Sequence, residues 1–275
     1  MGEVTAVAWP AQLSLATALA EMADTPTIWP GLGRRDNGAL RLIVVPDQAR
    51  MRELTGGRAP SWGAGIAIPG SRTILIRADV QDPVRTLRHE LAHLALRRAI
   101  RSRVPRWFDE GYAALAAGEW DRLDAIQLNL AVTRGLAPDL AELDGALRGR
   151  APEAEASYAL AMSAVTELAR RNPTGSLEPI ISLLSDGEEF DAAVRRTTGL
   201  TAGQFAAEWS RAVRHRYSWL TWLLAGGLWV VVALAVLAAG AIRRRFDRPR
   251  RAALDEGWTL PEESPPELDQ GREGM

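Results

Sequence analysis

Apolar positions along this chain fall into three regimes: short runs in the first third, helical spacing through the middle, and one long uncharged run near the C-terminus. Arg41-Leu42-Ile43-Val44-Val45, stopped by Pro46, predicts a short buried strand. Gln48 to Leu54 predicts a helix closed by Gly56-Gly57. Ala64 to Ile68 and Thr73 to Arg77 read as two further strands joined by a Pro69-Gly70-Ser71-Arg72 turn. Ahead of them, Leu13 to Met22 has the spacing of an amphipathic helix that packs on the domain. Pro83 to Ile100 reads as a longer helix. Asp82 suits its N-cap and Pro83 its first turn, while Leu87, Leu91, Leu94 and Ala95 form a stripe apart from Arg85, Arg88, Arg97 and Arg98. Pro105 then starts another helix. Six helical stretches follow, at Trp120 to Val132, Pro138 to Leu147, Pro152 to Arg171, Leu177 to Leu184, Glu188 to Thr197 and Thr201 to Arg216. The expected class is α+β: a small antiparallel or mixed sheet that leads into a mostly helical C-terminal part.

The last regime changes the picture. Ser218 to Ile242 carries no charge, and as one helix it would be about 37 Å long, enough for a bilayer. Trp219 and Trp222 suit an interfacial belt, His215 sits at the expected boundary, and six arginines between Arg243 and Arg251 outweigh the three at 211–216. These features predict a single-pass membrane protein with its folded domain outside and its C-terminus in the cytoplasm. Residues 1–33 hold no Lys or Arg and do not read as a signal peptide, so export calls for a signal upstream of Met1. The expected layout is a folded domain at 1–216, a membrane helix at 217–242 and a disordered acidic, Pro-rich tail within 243–275.

Composition narrows the chemistry. Hydrophobic residues make up 47% and charged residues 24%, enough for a core. A net charge of −1 offers no surface for nucleic acid, and the absence of cysteine excludes disulfides and thiolate sites. Every basic side chain is arginine apart from 3 histidines, and two of those stand in His89-Glu90-Leu91-Ala92-His93. On a helix, residues four apart share a face, so both imidazoles can reach one point, with Glu90 turned about 100° from His89. This H-E-x-x-H pattern predicts a zinc site at His89 and His93 with Glu90 as general base. Catalytic zinc needs a third protein ligand and an open position. A carboxylate at Glu110, one and a half turns into the next helix, would complete the set; Asp109 is the near rival, otherwise solvent-facing or outside the ligand set.

At Trp107-Phe108-Asp109-Glu110-Gly111-Tyr112-Ala113 the chain resembles the gluzincin peptidases. It is closest to the W-L-N-E-G-F-A of the aminopeptidase N family and to bacterial peptidase MA-like domains. The resemblance extends over roughly residues 40–210, with the sharp motifs at 89–113. It implies that Glu110 is the third zinc ligand and that the substrate is a peptide or protein. It also implies that an edge strand above the metal helix receives extended substrate, although a plain core hairpin fits the same residues. Thermolysin-like gluzincins carry an Asp one turn after the third ligand to orient a zinc-bound histidine. Here that position is Ala114, so Asp109 or a backbone carbonyl must take the role. The glycine-and-glutamate motif that grips a free N-terminus in aminopeptidase N has no counterpart at 62–68, which favours cleavage within chains. Ser157-Tyr158-Ala159 resembles a stretch that follows the zinc helices, so Tyr158 is a candidate to hydrogen-bond the oxyanion or else a packed surface tyrosine. Tyr112 reads as structural. Four arginines on the motif helix exclude an intramembrane protease. The rival to a membrane-anchored metallopeptidase is a non-catalytic module of the same fold that binds a protein partner.

Overall fold

The computed structural model describes residues 3–59, 63–118, 139–147, 151–222 and 228–255. The chain divides into two units, Met1–Leu220 and Thr221–Met275. The first holds a four-stranded sheet in the order β1 (Val4–Ala8), β4 (Leu40–Val45), β6 (Thr73–Arg77), β5 (Gly65–Ile68). The first three strands run parallel, and β5 is antiparallel to β6 at one edge. A separate hairpin pairs β2 (Thr27–Trp29) with β3 (Gly33–Arg35). The expected strands at 41–45, 64–68 and 73–77 are thus present. β1 has no counterpart in the sequence reading, because Val-Thr-Ala-Val-Ala is short and alanine-rich and pairs with a strand far along the chain.

The central strands are apolar at consecutive positions because both sheet faces are covered. Leu42, Val44, Ile74 and Ile76 point into the main core with Leu87 and Leu91 of α3 (Pro83–Ala99) and Leu19 of α1 (Leu13–Asp24). Val45 and Leu75 point the other way, onto Met51 of α2 (Gln48–Thr55). Asp82 caps α3 as the sequence suggests, accepting from the Arg85 amide at 2.8 Å, and Asp47 caps α2 in the same way, accepting from the Arg50 amide at 2.9 Å. Gly56, in the left-handed region at φ 58°, closes α2.

α4 (Arg106–Ala117) lies beside α3, and Arg88 ties the two together by donating to the Ala116 carbonyl at 3.2 Å. Its own start has no side-chain cap at Pro105. Asp144 of α5 (Leu140–Ala146) serves instead, accepting from the Trp107 amide at 2.7 Å and the Arg106 amide at 3.3 Å. α6 (Ala151–Arg171) covers α4, and α7 (Glu178–Ser185), α8 (Phe190–Thr198) and α9 (Ala202–Trp222) complete the helical part. Trp107 stacks on Phe205 of α9 at 6.3 Å, and Phe108 meets Phe190 of α8 edge-on at 5.2 Å. The helix expected at 120–132 lies outside the described residues.

The second unit holds α10 (Leu228–Asp255). Here the membrane expectation is overturned: no described helix is long and apolar enough to cross a membrane. α10 is apolar from Leu228 to Ile242, about 22 Å at a helical rise, against about 30 Å of hydrocarbon. Arg243, Arg244 and Arg245 then begin an arginine-rich stretch in the same helix. The single-pass placement, the outward-facing domain and the bilayer as partner fall with it, since an arginine bias orients a span only where a span exists. The described residues form an α+β fold, a small mixed sheet and a helical remainder, with no helix among them long and apolar enough to cross a membrane.

The contact between α4 and α6 is unusually close at Gly111. A Cβ there would lie 2.4 Å from the Ala161 carbonyl oxygen and 2.8 Å from Val165 Cγ2. Backbone cannot yield as a side-chain tip can. Gly111→Ala should therefore destabilise the protein by about 2–3 kcal/mol through overpacking. Denaturant unfolding of the two proteins measures this, and an unchanged midpoint would show that the helices do not pack this closely.

Candidate active site

Two helices supply the site. α3 presents His89, Glu90 and His93, and α4 presents Asp109 and Glu110; all three acids are about nine-tenths buried. His89 Nε2 and His93 Nε2 are 3.2 Å apart, and Glu110 Oε2 lies 3.5 and 3.4 Å from them. The three donor atoms thus form a nearly equilateral triangle. Among the described residues these three form the one group of side chains that could hold a metal ion. Asp109 is outside that group.

Asp109 does something else. The His93 Nδ1–H donates to Asp109 Oδ1 at 2.8 Å, which leaves Nε2 as the ring atom that faces Glu110 and the one that would bind a metal once it gives up its proton. Arg97 donates to the other Asp109 oxygen at 2.8 Å. Asp109 therefore takes the orienting role that Ala114 cannot. Glu110 is held in the same manner, with Oε2 toward the histidines and Oε1 3.1 Å from Arg106 Nη2, one helical turn back. This pair was not read from the sequence, although the four-residue spacing of Arg106 and Glu110 on one helix is a signal that could have found it. The pairing of Arg97 with Asp109 and the cap from Asp144 cross between elements and carry no such signal.

The electrostatics separate the three acids. Burial disfavours the charged Glu110, but hydrogen bonds from His89 and His93 outweigh it and hold the carboxyl well below the usual range. Asp109 follows the same course: burial raises it, while the His93 hydrogen bond and Arg97 bring it below its ordinary value. Glu90 goes the other way, because its burial dominates the nearby imidazoles and the Ala67 backbone hydrogen bond, and its pKa is raised. For His93, burial lowers the pKa, yet hydrogen bonds to Asp109 and Glu110 prevail and lift it to about 9.

These groups open into a cleft of about 1000 Å³ whose walls include β5 residues Gly65, Ile66 and Ala67. β5 is the edge strand that one of the two hairpin readings requires. Gly65 makes the close approach possible: a Cβ there would meet Thr86 Cγ2 at 2.7 Å and Glu90 Cγ at 3.0 Å. Tyr158 of α6 also lines the cleft, its ring edge-on to His89 at 5.9 Å. Tyr112 is buried away from solvent and donates its hydroxyl to the Pro30 carbonyl at 3.1 Å, a structural bond between α4 and the β2–β3 turn. His215 is exposed on α9 and is not part of the metal-binding group.

A search of curated proteins finds no match to this chain. A family model described as "Peptidase MA superfamily" matches residues 54–215, a span that covers more than half of the chain and includes α3, α4 and α6. The chain belongs to the peptidase MA superfamily.

Proposed function

We propose that this protein is a gluzincin-type zinc metallopeptidase that cleaves within peptide or protein chains. The observation that carries the reading is the triangle of donor atoms beside a buried, separately placed Glu90. Bonds of about 2.0–2.1 Å at tetrahedral angles set ligand atoms about 3.3–3.4 Å apart. The edges among His89, His93 and Glu110 are 3.2, 3.4 and 3.5 Å, so the residues fit zinc. When bound, zinc would supply Lewis acidity, lowering the pKa of a water to about 7 and polarising a carbonyl.

The chain's own residues divide the remaining work. Extended substrate pairs its backbone with the free edge of β5, and Gly65 leaves no side chain between that strand and Glu90. Glu90 takes a proton from the attacking water and delivers it to the leaving amine. Its burial-raised pKa suits that exchange, because a base poised closer to the working pH both accepts and returns a proton. The Tyr158 hydroxyl donates to the carbonyl oxygen as negative charge develops there. Asp109 keeps His93 in register, and Arg97 keeps Asp109 charged.

Three outcomes follow. Glu90→Gln should lower kcat/KM on an unstructured protein substrate by about 10²–10⁴-fold while zinc content stays at that of the wild type. Hydrolysis retained in this variant would reject the mechanism, and a zinc-loaded wild type with no turnover on a broad substrate panel would favour the non-catalytic module. Asp109→Ala should weaken zinc binding about 10–100-fold in a competition titration with a chelator, whereas an unchanged affinity would show that Asp109 does not orient His93. Finally, in the metal-free protein His93 stays protonated up to a pH of about 9, so zinc binding at pH 7.5 must displace that proton. Calorimetry in two buffers of different ionisation enthalpy should report about one proton released, falling toward zero above pH 9. No buffer dependence at pH 7.5 would contradict the His93–Asp109–Glu110 arrangement.

A further inference from the structure

The flank of α3 opposite the metal cleft faces a second cavity, of about 550 Å³, within the usual range of roughly 300–1,000 Å³ for small-molecule sites. Its lining joins the β2–β3 hairpin and the segment after it to Leu91, Leu94, Ala95 and Arg98 of α3. Four arginines reach it, Arg34, Arg35, Arg72 and Arg98, against one acid, Asp36. We propose that this cavity binds a small phosphate ester, its phosphoryl group held between Arg72 and Arg98.

The two guanidinium groups converge on one point. Arg72 Nη2 and Arg98 Nη1 each lie 3.0 Å from the position a Cβ would take on Gly38, so they are at most 6.0 Å apart, twice 3.0 Å. Gly38, at φ 67° and without a side chain, lets both guanidinium groups close in on its backbone, where a Cβ would crowd them. Among the described residues none of the four arginines makes an ion pair, whereas Arg97 and Arg106 in the metal cleft are each matched to a carboxylate. Arg72 is held in place from the inside. Its Nη2 donates to the Asn37 carbonyl at 2.5 Å, its Nε is buried with no acceptor, and its backbone sits at φ 49°, the one non-glycine residue at positive φ among those described. A fold that keeps an arginine in a strained backbone position, next to a second unpaired arginine, has concentrated positive charge in a concave site. A doubly charged oxyanion answers it with several charge-assisted hydrogen bonds at once.

The rest of the lining describes the rest of the ligand. Leu32, Leu91, Leu94 and Ala95 give the cavity an apolar wall, which favours a phosphate carried on a compact apolar body over the free ion. The site is distinct from the metal cleft, which takes His89, His93 and Arg97 from the other side of the same helix.

The test uses the full chain and three probes at equal ionic strength: phenyl phosphate, inorganic phosphate and benzoate, with chloride as the background. Calorimetry should show saturable binding of phenyl phosphate, weaker binding of inorganic phosphate and none of benzoate, with a matching rise in the unfolding temperature. Arg98→Gln removes an exposed side chain, so the fold does not depend on it, and should weaken phenyl phosphate binding by about tenfold or more while zinc content holds. Wild-type protein that binds no phosphate ester, an Arg98→Gln variant that binds it equally well, or benzoate bound as tightly as phenyl phosphate would each overturn the assignment. Neither readout uses peptide hydrolysis, so the site stands or falls apart from the proposed peptidase activity.

Discussion

Three carboxylates and two imidazoles are brought together on the facing sides of α3 and α4, and most of the nearby structure serves to make that burial tolerable. An unpaired buried charge is expensive, so Asp109 and Glu110 are each compensated by cationic partners, while burial instead favours the neutral form of Glu90. Asp109 lies between His93 and Arg97, and Glu110 between the two histidines and Arg106. Among the described residues Glu90 forms no ion pair with an arginine, and burial raises its pKa, whereas hydrogen bonds outweigh burial and lower those of Asp109 and Glu110. Three chemically equal side chains thus acquire different proton affinities from their surroundings alone. Such a spread is what separates a ligand, an orienting group and a base in the proposed mechanism.

The second motif can be read residue by residue once α4 is in place. Trp107 and Phe108 anchor the helix on aromatic rings from α8 and α9, Asp109 and Glu110 face α3, Gly111 admits the α6 backbone, and Tyr112 ties the far side to Pro30. Six consecutive positions point in every direction around the helix, and each has a neighbour. That is why such a short stretch carries so much information: little in it is free to vary without moving Glu110 relative to the two histidines.

Legibility followed the range of the interaction. The H-E-x-x-H face and the Asp82 cap depend on helical spacing, and spacing is visible in the sequence; the Arg106–Glu110 pair has the same kind of spacing but was not read. The orienting role of Asp109 was half visible: the missing acid at Ala114 required a substitute, but the choice between Asp109 and a backbone carbonyl depended on how α4 lies on α3. β1, the Asp144 cap and the Arg72–Arg98 convergence were not visible at all, since each joins residues far apart in the chain. The membrane expectation failed for the opposite reason. A charge-free count over 218–242 weighs one run alone, whereas the described helix that includes 228–242 turns arginine-rich after Ile242 and no described helix is long and apolar enough to span.

The family match begins at residue 54, yet the sheet that positions α3 does not. β1 and β4 lie before the matched span, and β4 pairs along its length with β6, which carries the chain into Asp82 and the motif helix. Leu42 and Val44 of β4 pack in the same core as Leu87 and Leu91. Leu91 stands between Glu90 and Ala92 in sequence, buried on the core side of α3 and reaching the arginine-lined cavity, while the histidines reach the cleft. A shift of α3 on the sheet would therefore move both sites together. The N-terminal strands belong to the working unit for that reason: they set the position of the one helix from which both sites are built.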